Sequence, residues 1–159
     1  MMQEQKQTPG QALPKIKQYC SYQERCHEEV KQKLSGFGLG QDEIGQILGK
    51  LIEEDFLNEE RFAIQFAGGK FRVKHWGKLK IKQELRQKKV SEYCIKIAIS
   101  AIDDQAYQET LHKLASRKHE SLAREKNPFL KKKLLDHLRM KGYETDLVID
   151  VVNQLLNKP

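Results

Sequence analysis

The stretch VKQKLSGFGLGQDEIGQILGKL, residues 30–51, carries the pattern that decides the fold. Its second half places apolar side chains at i, i+3, i+4 and i+7, the buried stripe of an amphipathic helix. These side chains are Ile44, Ile47, Leu48 and Leu51. Leu34 and Val30, four residues apart, form one apolar face of a preceding helix. The stretch therefore predicts two helices joined by a short turn.

The same register recurs without a gap in residues 81–102 and 134–155, where Leu85 and Leu138 take the place of Leu34. Short helices are marginal alone and must pack on neighbours. Repeats that bury their faces against adjacent copies form extended arrays. We predict an all-α fold of three tandem three-helix repeats, helix-turn-helix-like, in an elongated, curved array. A single irregular helical bundle is the alternative.

The repeats are predicted at 14–57, 58–105 and 106–159, after a disordered lead-in at 1–13. A helix precedes the repeated pair in the second and third copies, whereas the first copy shows no clear long first helix. The lead-in has no apolar core of the kind found in a signal peptide.

Glycine marks the turn inside two of the three repeats. Gly38 and Gly142 each stand four residues after the anchoring leucine, where a left-handed residue commonly ends a helix. Lys89 occupies the same position in the middle repeat. We therefore expect the middle turn to close differently.

Composition limits the function classes. The 159 residues are 38% hydrophobic and 32% charged, and the formal net charge of +7 favours polyanionic partners. No apolar run reaches the length of about 18 residues that spans a membrane. Three cysteines at no framework spacing predict reduced thiols and a cytoplasmic protein. They are Cys20, Cys26 and Cys94.

Positive charge is concentrated between residues 70 and 89, with nine Lys and Arg against the single acid Glu84. Trp76 lies within this run and is positioned to stack on bases or to pack on a partner. A second basic stretch covers residues 113–133, whereas residues 42–60 hold seven acids and one lysine. The predicted DNA- or filament-binding residues are Lys70, Arg72, Lys74, Trp76, Lys78, Lys80, Lys82 and Arg86. A charge run that is only a solvated helix face is the alternative.

No pattern of catalytic chemistry stands out. Cys20, Cys26 and His27 lack the paired spacing of a structural zinc site. Gly68-Gly69-Lys70 is not a phosphate-binding loop, since it lacks the spacing and the Ser or Thr of that motif. We predict no catalytic residue, no metal, no cofactor and no enzymatic activity.

Residues 51–90 contain a motif in two halves. The first half consists of Leu57, Asn58, Glu59, Arg61, Phe62 and Ala63. The second half consists of Gly77, Ile81, Glu84, Leu85, Lys88 and Val90. Together they resemble the signature of the RecX family of recombinase regulators. The family usually has Gly where this chain has Asp55 and Lys89, and often Leu where it has Phe56. Phe62, Ile81 and Leu85 are expected to be core positions, while Arg61 and Glu59 fit either a site or a structural ion pair.

The resemblance implies a modulator of the recombinase RecA, active in recombination, DNA repair and the SOS response. The implied partner is the RecA nucleoprotein filament on single-stranded DNA, with double-stranded DNA as a further partner. Binding would suppress the filament's ATPase, strand exchange and growth. We expect a monomer that does not associate with membranes. A stand-alone helix-turn-helix DNA-binding protein and a protein–protein adaptor that ignores DNA are the alternatives.

Overall fold

The structure, a computed structural model, describes residues 6–157, and every regular element in that range is helical. A π-helical turn (Lys70–Lys74) follows the fourth helix. The helices are α1 (Pro9–Tyr22), α2 (His27–Gly36), α3 (Gln41–Glu53), α4 (Glu59–Gly69), α5 (Lys78–Gln87), α6 (Glu92–Ser100), α7 (Asp104–Arg124), α8 (Leu130–Met140) and α9 (Thr145–Leu156). The predicted all-α fold and the repeated three-helix pattern are confirmed.

The first repeat contains the first helix that the sequence analysis missed. Thr8 caps α1: its hydroxyl accepts a hydrogen bond from the backbone of Gln11, whose side chain accepts one from the backbone of Thr8. Helix α1 then buries Ala12, Ile16 and Cys20, spaced four residues apart. Pro14 inside the helix hid this signal, because proline normally interrupts a helix. The predicted lead-in was therefore too long; its residues 1–5 lie outside the described residues.

The turn after the anchoring leucine is the same in all three repeats. The carbonyl groups of Leu34, Leu85 and Leu138 each accept a hydrogen bond from the backbone N–H five residues later. The residue before that donor has a positive φ: 85° at Gly38, 59° at Lys89 and 99° at Gly142. The expectation that Lys89 closes its turn differently was wrong, because lysine adopts the left-handed conformation here at a cost in free energy.

The described residues form two compact units. Unit 1 comprises residues up to 65 and residues 85–97, and its core joins α1, α2 and α3 around Ile16, Leu34 and Leu51. Unit 2 comprises residues 66–84 and those from 98 onward. There α7, α8 and α9 pack on one another.

The core of unit 2 includes three fully buried leucines, Leu111, Leu134 and Leu138. The units divide the predicted second repeat, since α4, α5 and α6 each contribute residues to both. The predicted repeat boundaries remain a prediction.

Candidate nucleic-acid interface

The net positive charge of the chain resides in unit 2. Unit 1 carries 12 Lys and Arg against 12 Asp and Glu, a net charge of zero. Unit 2 carries 17 Lys and Arg against 10 Asp and Glu, a net charge of +7. A polyanion is therefore attracted to unit 2, which contains most of the predicted binding residues.

A tight docking contact fixes the path of residues 70–82, called here the basic segment. His75 takes a left-handed conformation (φ 58°) that reverses the chain after the π-helical turn. The N–H of Gly77 then donates to the carbonyl of Lys141 at 2.7 Å, and Leu79 donates to Gly142 at 2.9 Å. A Cβ atom on Gly77 would lie 2.3 Å from the carbonyl carbon of Gly142, so this approach requires glycine.

Two buried tyrosines form hydrogen bonds with the backbone of the basic segment. The hydroxyl of Tyr107 accepts a hydrogen bond from the N–H of Lys78 at 3.0 Å and donates one to the carboxylate of Glu144. The hydroxyl of Tyr143 donates to the carbonyl of His75 at 2.9 Å. Burial raises the pKa of both phenols far above the usual value, with further contributions from Glu144. Both hydroxyls therefore keep the protons they donate.

Trp76 brings two of the predicted lysines together. The ammonium nitrogen of Lys70 lies 5.1 Å from the centre of the indole, and that of Lys80 lies 4.6 Å from it. These distances are typical of cation–π contacts. The half-buried indole and the two ammonium groups are called here the Lys–Trp cluster.

Two predicted binding residues are engaged in other contacts. Lys78 pairs with Asp104 at 3.4 Å, lies 4.6 Å from the ring centre of Tyr107, and leaves 17% of its side chain exposed. Arg86 belongs to unit 1, where its guanidinium forms two hydrogen bonds with the carboxylate of Glu92. Lys78 therefore serves the fold, whereas the exposed pair of Arg86 is weak enough to exchange partners.

Five other predicted cations have no acidic partner among residues 6–157, where no carboxylate lies within 4.0 Å of their charged groups. They are Lys70, Arg72, Lys74, Lys80 and Lys82, called here the five unpaired cations. All five belong to unit 2 and are at least partly exposed. Their charge is available to an external anion.

Arg61 and Glu59 both have structural partners in unit 1, but they do not pair with each other. Arg61 binds Glu24 at 2.5 Å and Asp55 at 3.0 Å, and the first contact is the main reason why its pKa is raised. Glu59 accepts a hydrogen bond from the N–H of Ser91 at 2.5 Å. The contacts of Arg61 and Glu59 therefore fit a structural role. The two residues do not form the ion pair with each other that this role was expected to involve.

Sequence reasoning missed the residues that hold the basic segment. The sequence analysis assigned no role to Tyr107 or to Glu144. One usable signal was present: the third repeat has Tyr143 where the others have the aliphatic Leu39 and Val90. An aromatic residue with a polar group at an otherwise aliphatic core position needs a hydrogen-bond partner.

Other chemistry is sparse in the described part of the chain. Residues 6–157 contain no group of three His, Cys, Asp or Glu side chains placed to hold a metal ion. The three cysteines are buried and unpaired. No helix within the same range is long and apolar enough to cross a membrane.

Comparisons with known proteins agree on one family. Residues 58–99 match the family model described as RecX, second three-helix domain, and the match begins where the second repeat is predicted to begin. The chain is 32% identical over 135 residues to the regulatory protein RecX of Clostridium perfringens strain 13, and 33% identical to that of Clostridium botulinum strain Eklund 17B. Each alignment covers 84% of this chain but 63% of the relative. The chain thus spans less than two thirds of the length of these relatives.

Solved structures show the same fold. The crystal structure of RecX from Lactobacillus salivarius superimposes with a TM-score of 0.83 at 23% identity, covering 92% of this chain and 96% of that one. A second structure, of a regulatory protein RecX, gives a TM-score of 0.77 at 21% identity. It covers 90% of this chain and 72% of the other.

Proposed function

The chain belongs to the RecX family, and on that premise we propose that it regulates the recombinase RecA. It binds the RecA filament on single-stranded DNA and suppresses the filament's ATPase, strand exchange and growth. The setting is recombination and DNA repair in the cytoplasm, including the SOS response. The protein acts as a monomer and a binding protein rather than an enzyme.

One observation carries the proposal: the +7 charge of unit 2 together with the five unpaired cations. Protein cations without internal partners gain free energy when they neutralise phosphates, because condensed counterions are released from the nucleic acid. A RecA–DNA filament presents such phosphates along its length. The charge distribution supports contact with the filament through unit 2.

Inhibition must arise from differential binding. The protein can shift a filament toward a blocked or disassembled state only by binding that state better than the active one. Any ATP turnover is then the filament's own. Several cations that engage at once, each weakly, give a cumulative affinity that falls steeply with salt.

The test is the DNA-dependent ATPase of RecA on single-stranded DNA, measured while this protein is titrated in at two salt concentrations. The proposal predicts inhibition at less than one copy per RecA protomer, and weaker inhibition at the higher salt. If no ratio of this protein to RecA gives inhibition, the proposal is rejected.

The Lys–Trp cluster also favours a second candidate, a stand-alone DNA-binding protein, because it suits a polyanion whether or not RecA is present. Salt-sensitive binding to bare DNA without any effect on RecA would support that candidate. Inhibition of RecA by a protein with no affinity for single- or double-stranded DNA would instead indicate a protein–protein adaptor.

A further inference from the structure

The Lys–Trp cluster joins two successive elements of unit 2, the π-helical turn and α5. Lys70 comes from the π-helical turn and Lys80 from the first turn of α5. The N–H of Trp76 donates to the carbonyl of Lys70 at 3.2 Å. This hydrogen bond places Trp76 next to the first residue of the π-helical turn. The docked backbone of Gly77 and Leu79 then holds Lys80 beside the ring. The cluster is therefore preorganised by backbone hydrogen bonds.

Two like charges converge on one ring. Since the ammonium nitrogens lie 5.1 and 4.6 Å from the ring centre, they are no farther apart than the sum of those distances, about 10 Å. Within residues 6–157 neither has a carboxylate within ion-pair distance, in contrast to Lys78, which has Asp104. A bound anion that contacts both ammonium groups supplies the counter-charge that the described residues do not provide.

The indole is poorly available for stacking on a base. Trp76 is half-buried, and two ammonium groups lie close to its ring. A base that stacked on the indole would have to compete with those cation–π contacts. A phosphodiester backbone that binds the two ammonium groups does not require a free face of the indole.

We infer that Lys70, Trp76 and Lys80 form a binding site for the phosphodiester backbone of single-stranded nucleic acid. In this site the indole orients the two lysines and stacks on no base. This assignment rests on the proposed function, in which the basic segment contacts the DNA of the filament. It names one phosphate-binding point within that segment. It adds that recognition here is independent of base identity.

Trp76 is the only tryptophan in the sequence, so its fluorescence reports on this site alone. The full chain is titrated with oligo(dT) and with an abasic deoxyribose-phosphate oligomer of equal length. We expect both to change the emission to the same extent. A change produced by oligo(dT) but not by the abasic oligomer would show base stacking and overturn the inference.

Two double variants test the lysines. Lys70→Gln with Lys80→Gln removes two phosphate contacts, so the slope of log affinity against log salt should become shallower by about 1.4. Lys31→Gln with Lys50→Gln removes the same charge from exposed positions of unit 1 and should leave the slope unchanged. Circular dichroism confirms that each variant is folded. Equal slopes for the two double variants would overturn the inference.

The RecA ATPase assay separates this inference from the proposed function. If neither oligomer changes the emission of Trp76 while the protein still inhibits RecA, the inference fails and the proposed function stands. If the emission is unchanged and inhibition is also absent, both fail.

Discussion

The hydroxyl of Tyr107 accepts a hydrogen bond from the backbone N–H of Lys78, 29 residues earlier in the chain, at 3.0 Å. The same hydroxyl donates to Glu144, the residue that precedes α9. One buried phenol thus joins the start of α5, the first turn of α7 and the start of α9. The basic segment is held in place by this connection within unit 2.

Replacing Tyr107 by Phe should lower the free energy of unfolding by about 1–3 kcal/mol, because the partly buried N–H of Lys78 and the carboxylate of Glu144 both lose their partner. Urea denaturation followed by circular dichroism measures the change. Tyr93→Phe is the matched control: Tyr93 is 71% exposed, and its variant should differ from the native chain by less than about 0.5 kcal/mol. A Tyr107→Phe protein as stable as the control would show that the hydroxyl bridge contributes nothing.

Gly77→Ala should destabilise the chain by roughly 1–3 kcal/mol, because its Cβ would overlap the backbone of Gly142 and separate Gly77 from Lys141. Gly45→Ala is the counterpart: nothing lies within 4 Å of a Cβ at this exposed position in the middle of α3. It should stabilise the chain by about 0.5–1 kcal/mol. Thermal unfolding of both variants measures the difference, and the account requires the two shifts to have opposite signs.

Lys89→Gly and Lys126→Gly should each raise the free energy of unfolding by roughly 1 kcal/mol. Both lysines have positive φ, 59° and 52°, where a Cβ is unfavourable. The exposed contact of Lys89 with Glu28, at 3.5 Å, offsets little of the gain. Gln83→Gly, at an exposed position inside α5, should have the opposite effect. Destabilisation by both lysine replacements would contradict the left-handed assignment of these turns.

Cys26 should be slow to react. Burial raises the pKa of its thiol from the usual 9.0 to about 11, so at pH 8 the folded chain holds about 100-fold less thiolate than the unfolded chain. Alkylation with iodoacetamide, quantified by mass spectrometry of the Cys26 peptide, should be slower by at least that factor without urea than with it. Equal rates under the two conditions would contradict the burial of this thiol.

The same shift in pKa has a consequence for stability. Because the folded pKa lies above the unfolded one, the stabilising contribution of the protonated thiol is complete below about pH 9 and is lost as the pH rises toward 11. Cys26→Ala should therefore weaken the decline in unfolding free energy across this window. A variant with the same pH profile as the native chain would assign the decline to other groups.

Regular patterns in the sequence were sufficient for the core but not for the contacts between distant segments. The register anchored on Leu34 predicted Leu85 and Leu138, and all three side chains are fully buried. Such periodicity follows from helix geometry alone. The proximity of Gly77 to Gly142 depends instead on how α8 meets the start of α5, which no local spacing encodes.

The candidate site was likewise predictable in its composition but not in its contacts between distant residues. The charge run in the sequence located the basic segment, and all the predicted cations except Arg86 lie in unit 2. Which cations remain unpaired depends on acids distant in sequence. Lys78 forms an ion pair with Asp104, whereas Lys80, two residues later, forms a cation–π contact with Trp76. A charge count treats both lysines alike, although their surroundings differ.

In the proposed function, the five unpaired cations of unit 2 mediate inhibition of the RecA filament. RecA ATPase inhibition is compared between the native chain and the triple variant Lys74→Glu, Lys80→Glu, Lys82→Glu, with helicity checked by circular dichroism. Lys78 is left unchanged because it supports the fold. We expect the triple variant to keep native helicity and to lose its inhibition of RecA. A folded triple variant that still inhibits RecA at the native ratio would exclude these cations as the inhibitory surface.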